Sequence, residues 1–251
     1  MCTVTFIPVK DKFIITSNRD EKISRKPALP PRIYYHNGSK LVFPKDADAG
    51  GTWIVVNANG NAAVLLNGAF EKHTYHPGYT KSRGLVLLDA ISEARPVRYL
   101  VKTDLKTVEP FTLIVWEDNS LYEFRWDGAG KHCVQLRKSR HYIWSSATLY
   151  SKETMKKREY WLAKFLNKTP LPAVEDIMNF HASAGDGDGE NDLKMTRQRL
   201  YATVSITSLT LDDVSSSILY HDCKDGTHHQ QKINFLSTSF SVSQSLLHEN
   251  T

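Results

Sequence analysis

The beginning of the chain alternates between apolar and polar positions with a period of two. Val4 and Phe6 alternate with their neighbours in residues 3–7, and a similar alternation returns in residues 13–17 after the polar residues 10–12. Successive side chains of a strand point to opposite faces, so this period is typical of β-strands. Two such runs separated by a short polar turn predict an antiparallel hairpin.

The predicted hairpin places a thiol beside a group of polar side chains. Because its strands run antiparallel, the start of the first lies beside the end of the second, so we expect Cys2 near Asn18, Arg19 and Asp20. Removal of Met1 would give Cys2 an α-amine with a reference pKa of about 7.7 to 8.0, a base for its own thiol. Arg19 would lower the thiol pKa or bind an anionic substrate group, and Asp20 would orient the ammonium. The alternative is that Cys2 is a small apolar residue at a strand start.

Further apolar runs, bounded by turn residues, predict more strands around two helical regions. The predicted strands cover residues 40–43, 53–56, 62–67, 111–116, 121–126, 133–136, 201–211, 216–221 and 231–235, so that four or five strands precede the first helix. The predicted helices cover residues 82–102, with a kink or a break at Pro96, 152–166 and 173–180. The proline-rich residues 22–32 are predicted to be an irregular surface excursion, and residues 184–192 a mobile loop. This order predicts an α+β layered sandwich of two mainly antiparallel sheets covered by helices.

Composition narrows the class of protein. A chain of 251 residues with 41% hydrophobic residues can form one sizeable domain, which we expect to cover residues 1–251. The net charge of +5 comes with interspersed acidic residues and without a stacking-aromatic or helix-turn-helix signature, so no nucleic-acid partner is predicted. The apolar start is too short for a cleavable signal, and no run approaches the roughly 20 apolar residues of a membrane helix. We therefore expect a cytoplasmic protein without stable membrane insertion.

The cysteines and acidic residues give little support to a metal site. Cys2, Cys133 and Cys223 have no C-x-x-C spacing, which argues against a disulfide framework or structural zinc and fits a reducing compartment. The acidic residues of 186–192 alternate like calcium ligands, but the required glycine and closing glutamate are missing. Histidines at 221, 228 and 229 are too isolated to favour a metal site. No metal and no cofactor are predicted.

Four short motifs follow one another within the first seventy residues. They are Met1-Cys2, the run SNRDE at residues 17–21, the run AGGTW at residues 49–53, and Leu66-Asn67. Their combination, order and spacing resemble the Transport and Golgi organisation 2 family, also called the NRDE family; beyond them only residues 144–147 and 202–205 match loosely. The resemblance implies an N-terminal-nucleophile (Ntn) hydrolase-like fold, a four-layer αββα sandwich similar to that of bile-salt hydrolases and penicillin V acylases.

The resemblance also implies roles for individual residues. In those cysteine amidases the mature N-terminal cysteine attacks an amide, an arginine and an aspartate on the next strand flank it, and a later asparagine helps to bind the oxyanion. These roles fall on Cys2, Arg19, Asp20 and Asn67. Asn67 ends an apolar strand and precedes Gly68, so the alternative is that it only forms a turn and has no catalytic role.

Three further positions bear on the site. Asn18 and Ser146 are expected to bind substrate, although the family usually has an asparagine where Ser146 aligns. The serine hydroxyl can still donate a hydrogen bond. The family usually has an arginine where Val204 aligns, and valine supplies neither a charge nor a donor. The two positions from the second half of the chain, 146 and 204, therefore depart from the family pattern.

The expected function is hydrolysis of a non-peptide amide C–N bond by Cys2 after removal of Met1. Its partner would be a small amide substrate. The alternative, supported by the resemblance alone, is a non-catalytic binding or trafficking protein that holds an apolar ligand such as a lipid or haem in the same pocket. The oligomeric state is left open by the sequence.

Overall fold

The computed structural model describes residues 2–236. Six strands come before the first helix: β1 (Cys2–Val9), β2 (Lys12–Lys22), β3 (Leu29–His36), β4 (Ser39–Lys45), β5 (Ile54–Asn57) and β6 (Ala62–Asn67). Two helices and four strands follow: α1 (Arg83–Ser92), α2 (Pro96–Lys102), β7 (Phe111–Glu117), β8 (Ser120–Trp126), β9 (Lys131–Leu136) and β10 (Tyr142–Ser145). The remaining elements are α3 (Lys152–Lys168), α4 (Val174–Ser183), β11 (Thr196–Arg197), β12 (Tyr201–Leu211), β13 (Ser215–Asp222) and β14 (His228–Asn234).

The strands form two antiparallel sheets. Sheet A has the order β10-β1-β2-β12-β13-β14, with β11 paired to β12, and sheet B has the order β3-β4-β5-β6-β7-β8-β9. Helices α1 and α2 pack on sheet B, while α3 and α4 pack on sheet A. The main apolar core lies between the two sheets and under α1 and α2. The predicted α+β sandwich of two mainly antiparallel sheets covered by helices is therefore confirmed.

The first hairpin has the predicted register. Cys2 pairs with Arg19, and the strands are joined through a tight turn in which Lys10 has a φ of 53°. Cys2, Val4 and Phe6 point into the core between the sheets, where full burial of one large apolar side chain contributes about 1.5–3 kcal/mol. Thr5 faces the helices instead, and hydrogen-bonds His181 of α4. The sequence alternation thus reflects two different interfaces on the two faces of one strand.

Three strands were not predicted: β3, β10 and the two-residue β11. Six strands precede the first helix because the proline-rich segment contributes to β3, which begins at Leu29. Proline is tolerated there because β3 is an edge strand, and its register with β4 shifts between Leu29 and Arg32. Strand β10 was not predicted, since its four residues are all half-buried and show no alternation. The helical region predicted over residues 82–102 has the break expected at Pro96, which stands at the start of α2, where a missing N–H costs little.

No helix within residues 2–236 is both long enough and apolar enough to span a membrane.

Candidate active site

A cavity of about 250 Å³ lies where the first hairpin of sheet A meets sheet B and the start of α1. Sheet A contributes Cys2 and Arg19, sheet B contributes Asn67 at the end of β6, and α1 contributes Arg83. Three of the four residues expected to be catalytic therefore share this cavity. The fourth, Asp20, lies on the other face of β2.

The Cys2 thiol is buried at the wall of this cavity. Its pairing with Arg19 across the hairpin places both side chains on the same face of sheet A. Only 2% of Cys2 is exposed. Burial raises the pKa of the Cys2 thiol, while the positive charges of the amino terminus and Arg19 act against this rise. In the structure as it stands, the thiol is accordingly protonated near neutral pH.

Arg19 is held rigidly by its neighbours. Its Nη2 atom lies 2.5 Å from Oδ2 of Asp46, and its guanidinium lies 4.6 Å from the centre of the Trp53 ring. Burial alone would raise the pKa of Asp46, but hydrogen bonds from its own loop and the charges of Arg19 and Arg25 lower it. Asp46 is therefore an ionised anchor for Arg19, which remains a fixed cation beside the thiol.

Asp20 is fully buried on the helix-facing side of sheet A. Tyr150 donates its hydroxyl hydrogen to Oδ2 of Asp20 at 2.7 Å, and Thr203 donates to Oδ1 at 2.7 Å. Burial raises the pKa of Asp20, whereas the charge of Arg158, the two hydroxyl donors and the amino terminus lower it. The carboxyl group does not line the cavity.

Ser146 links the two sheets behind the cavity. Its backbone N–H donates to the carbonyl oxygen of Cys2 at 2.9 Å, and its hydroxyl donates to the carbonyl oxygen of Asn67 at 2.7 Å. The residue is fully buried and does not line the cavity. Its contacts place it between the backbones of Cys2 and Asn67, and its expected role in substrate binding stays a prediction.

Asn18 also has a structural position. Its side-chain amide donates to the carbonyl oxygens of His181 at 3.0 Å and Leu193 at 2.7 Å, and its Oδ1 accepts a hydrogen bond from Nδ1 of His181 at 2.6 Å. All of these partners lie on the helix side of sheet A. Asn18 thus faces away from the cavity and attaches α4 to the sheet, while its expected contact with substrate stays a prediction.

Val204 lies at an irregularity of β12 beside the site. The register between β12 and β2 shifts between Thr203 and Ser205, so Val204 is the extra residue of a bulge. It lines a small void together with Arg19, Tyr220 and Asp222. The position is therefore close to Arg19, and its valine contributes an apolar contact there.

Two cavity residues were not expected at the site, although Trp53 belongs to the AGGTW motif. Arg83 is the first residue of α1, and its Nη2 atom lies 2.8 Å from Oε2 of Glu109. Trp53 lines the cavity and carries Arg19 on its ring. Arg83 and Glu109 are 26 positions apart and form no recognisable sequence motif. Their pairing at the cavity is therefore visible only in the tertiary structure.

The AGGTW motif is explained by a close approach of two backbones. A Cβ atom added to Gly51 would lie 2.7 Å from the carbonyl carbon of Gly84 in α1, and one added to Gly84 would lie 2.8 Å from the carbonyl oxygen of Thr52. Both positions thus need glycine. The contact brings Trp53 and Arg83 to the same cavity.

Across residues 2–236, no three His, Cys, Asp or Glu side chains come together in a group that could hold a metal ion.

Comparisons with known proteins give a family and a fold. The family profile described as Transport and Golgi organisation 2 matches residues 1–220. No curated protein matches the chain. Among solved structures, an N-acylethanolamine-hydrolyzing acid amidase orthologue from Caenorhabditis elegans is similar at a TM-score of 0.58 and 12% identity, covering 83% of this chain and 92% of its own.

Two bacterial structures are similar over even more of this chain. Penicillin V acylase from Agrobacterium tumefaciens gives a TM-score of 0.53 at 10% identity and covers 92% of this chain and 85% of its own. A variant of the conjugated bile acid hydrolase from Clostridium perfringens gives a TM-score of 0.51 at 9% identity and covers 97% of this chain and all of its own, 100%. At these identities the likeness concerns the fold alone, and it confirms the predicted Ntn-hydrolase-like architecture.

Proposed function

The chain belongs to the Transport and Golgi organisation 2 family, and from this premise we propose that it is an N-terminal cysteine hydrolase that cleaves a non-peptide amide bond after removal of Met1. The observation that supports this most is the pairing of Cys2 with Arg19 at a cavity whose opposite wall carries Asn67. A nucleophile, a cation that favours its thiolate and an amide donor are three of the groups that acyl transfer requires.

The proposed reaction begins at the amino terminus. Removal of Met1 converts the backbone nitrogen of Cys2 into an α-amine, which takes the proton of the thiol. The thiolate attacks the amide carbon, and the side chain of Asn67 donates to the oxyanion, a contribution of a few kcal/mol in related sites. The α-ammonium returns its proton to the leaving amine as the C–N bond breaks. Water then hydrolyses the thioester, which releases the acid and restores the thiol.

Arg19 and Asp20 support this reaction from opposite faces of β2. Arg19 lies on the thiol side, where its charge stabilises the thiolate. Asp20 lies on the helix side, and we assign to its carboxylate the stabilisation of the α-ammonium that removal of Met1 creates. Ser146 contacts the backbone of both Cys2 and Asn67, so it fixes the distance between nucleophile and oxyanion donor.

Binding of a lipid or haem in the same cavity is the weaker candidate. The lining includes three arginines and three carboxylates, which are Arg19, Arg25, Arg83, Glu21, Asp46 and Glu109. An apolar ligand buried against these charged groups would remove them from water without offering any hydrogen bond in return. The three free cysteines are in keeping with the reducing cytoplasm, where we place the protein.

Intact mass and a hydrolysis assay test the proposal. We expect the folded protein to lack Met1 and to hydrolyse members of a panel of acyl p-nitroanilides, with turnover lost in Cys2→Ala. The matched control is Cys133→Ser, since Cys133 is an exposed cysteine on β9. Retention of Met1 in native protein, or equal turnover by Cys2→Ala, would contradict the proposal. A ligand that co-purifies and binds Cys2→Ala as tightly as the wild type would instead favour the binding protein.

A further inference from the structure

We propose that the cavity binds an oxyanion of its ligand, a carboxylate or a group of similar chemistry, through Arg83 and Trp53, so that the amide attacked by Cys2 belongs to an acidic substrate. The substrate class rests on the proposed function, whereas the oxyanion site can be tested without any turnover. The polar groups of the cavity differ in whether they already have partners.

The acceptors on the hairpin side of the cavity are already used. Asp46 accepts two hydrogen bonds from backbone N–H groups of its own loop and one each from Arg19 and Arg25. Glu21 accepts from the backbone N–H of Lys22 at 2.8 Å and pairs with Arg25 at 3.4 Å. These carboxylates therefore have little capacity left for a donor on a ligand.

Donors, in contrast, are in excess on the α1 side. A guanidinium has five N–H donors, and Arg83 uses them on Glu109 at 2.8 Å and on the carbonyl oxygen of Pro110 at 3.4 Å. Its Nε–H has no partner among residues 2–236. The indole N–H of Trp53 also has none within that range, although only 4% of the residue is exposed. A ligand that satisfies these groups must bring acceptor atoms.

The electrostatic setting favours an anion over a neutral acceptor. Arg83 is the first residue of α1, a ten-residue helix whose amino-terminal end carries a partial positive charge. Ser82 and Gly84, on either side of it, also line the cavity. Burial lowers the pKa of Arg83, while the negative charges of Glu109 and Glu21 counteract this. An oxyanion would supply the same compensation within the cavity that also contains the Cys2 thiol.

The indole N–H of Trp53 offers a direct measurement in the full chain carrying Cys2→Ala. The five tryptophans give five indole signals in a ¹H–¹⁵N NMR spectrum, and Trp53→Phe identifies the relevant one. We expect sodium acetate to shift this signal saturably, and acetamide at equal ionic strength to bind about tenfold more weakly, the effect of losing one charge-assisted contact. Acetate and acetamide match in size, so the comparison isolates the charge.

Arginine variants identify the binding group. Arg83→Gln should abolish the preference for acetate, and Arg83→Lys should retain part of it, whereas Arg98→Gln on the exposed surface of α2 should leave it unchanged. The same spectra report whether each variant is folded. Equal shifts with acetate and acetamide, or an unchanged preference in folded Arg83→Gln, would overturn the oxyanion site. Binding of acetate by a protein that hydrolyses only neutral amides would retain the site and overturn the acidic substrate. Binding of acetate by a protein that hydrolyses no amide of the panel would retain the site and reject the hydrolase function.

Discussion

Tyr150 donates its hydroxyl hydrogen to Asp20 at 2.7 Å while its ring lies 3.6 Å from the guanidinium of Arg158. Arg158 is fully buried and forms no ion pair with a carboxylate in residues 2–236. Its hydrogen bonds go to the side chains of Thr3 and Ser145 and to backbone carbonyls of Asn191 and Asp192. The charges of Asp20 and Arg158 are thus connected through one aromatic side chain under the candidate active site.

Tyr150→Phe should change the pH dependence of activity, because it removes the hydrogen bond to Asp20. The aromatic ring that stacks on Arg158 is retained. The hydrogen bond from Tyr150 lowers the pKa of Asp20, so its loss leaves burial to raise that pKa further. A larger fraction of Asp20 is then protonated at a given pH, and the acidic limb of the pH–rate profile should move to higher pH. Unfolding in urea should show a loss of about 1–3 kcal/mol. Tyr142→Phe, whose hydroxyl is exposed, is the control; identical profiles for both variants would argue against the role of Tyr150.

Arg158 and Asp20 should be coupled energetically although they do not touch. Arg158→Met removes a buried cation and should cost about 3–5 kcal/mol, because it leaves the carboxylate uncompensated. Asp20→Asn removes the charge that Arg158 compensates. In a double-mutant cycle measured by urea denaturation, the double variant should be more stable than the sum of the single losses by about 0.5–3 kcal/mol. Strict additivity would mean that Tyr150 does not couple the two charges.

The first hairpin illustrates what could be predicted from the sequence. A period of two and a short polar turn determine both the pairing of Cys2 with Arg19 and the faces to which they point. The order of strands and helices likewise predicted the layered sandwich. These features depend on neighbouring residues and on one rule of alternation, so they are encoded locally.

Other features depend on contacts between distant segments. Asn18 lies beside Arg19 in the sequence, yet its hydrogen bonds go to α4 and to Leu193, about 170 residues away. Arg83 enters the cavity only because two glycines allow the backbones of residues 51–53 and α1 to meet. Such relationships leave no periodic trace in the sequence. The prolines of β3 also misled the prediction, since an edge position tolerates what a central strand excludes.

His181 should make the folded state sensitive to mild acid. Its Nδ1–H donates to Asn18, its Nε2 accepts from Thr5, and burial lowers the pKa of His181 to about 3. In the unfolded chain the pKa is about 6.5. Between these values the unfolded state binds one more proton than the folded state, so stability falls as pH falls. From pH 7 to pH 5 we expect a loss of about 2 kcal/mol from this residue.

The contribution of His181 can be separated from that of other groups by comparison with His181→Gln. Glutamine retains hydrogen-bonding capacity but does not titrate. Urea denaturation of both proteins at pH 7 and pH 5 should show the larger loss in the wild type. The raised pKa of Asp20 has the opposite effect, because it makes the folded state more stable as the pH falls. Both proteins contain Asp20, so its effect cancels when their losses of stability are compared. An equal loss in both proteins would assign the acid sensitivity to other residues.

Gly84→Ala should destabilise the protein although alanine is the better helix former. In the middle of an exposed helix, replacing glycine with alanine stabilises the folded state by about 1 kcal/mol. Here the added Cβ would lie 2.8 Å from the carbonyl oxygen of Thr52, which is backbone and cannot rotate away. We expect a net loss of about 1–3 kcal/mol in urea denaturation, together with a shifted indole signal of Trp53. Gly189→Ala, with nothing within 4 Å of its added Cβ, should have neither effect. If Gly84→Ala were more stable than the wild type, residues 51–53 and α1 could move apart. Their contact would then not determine the shape of the cavity.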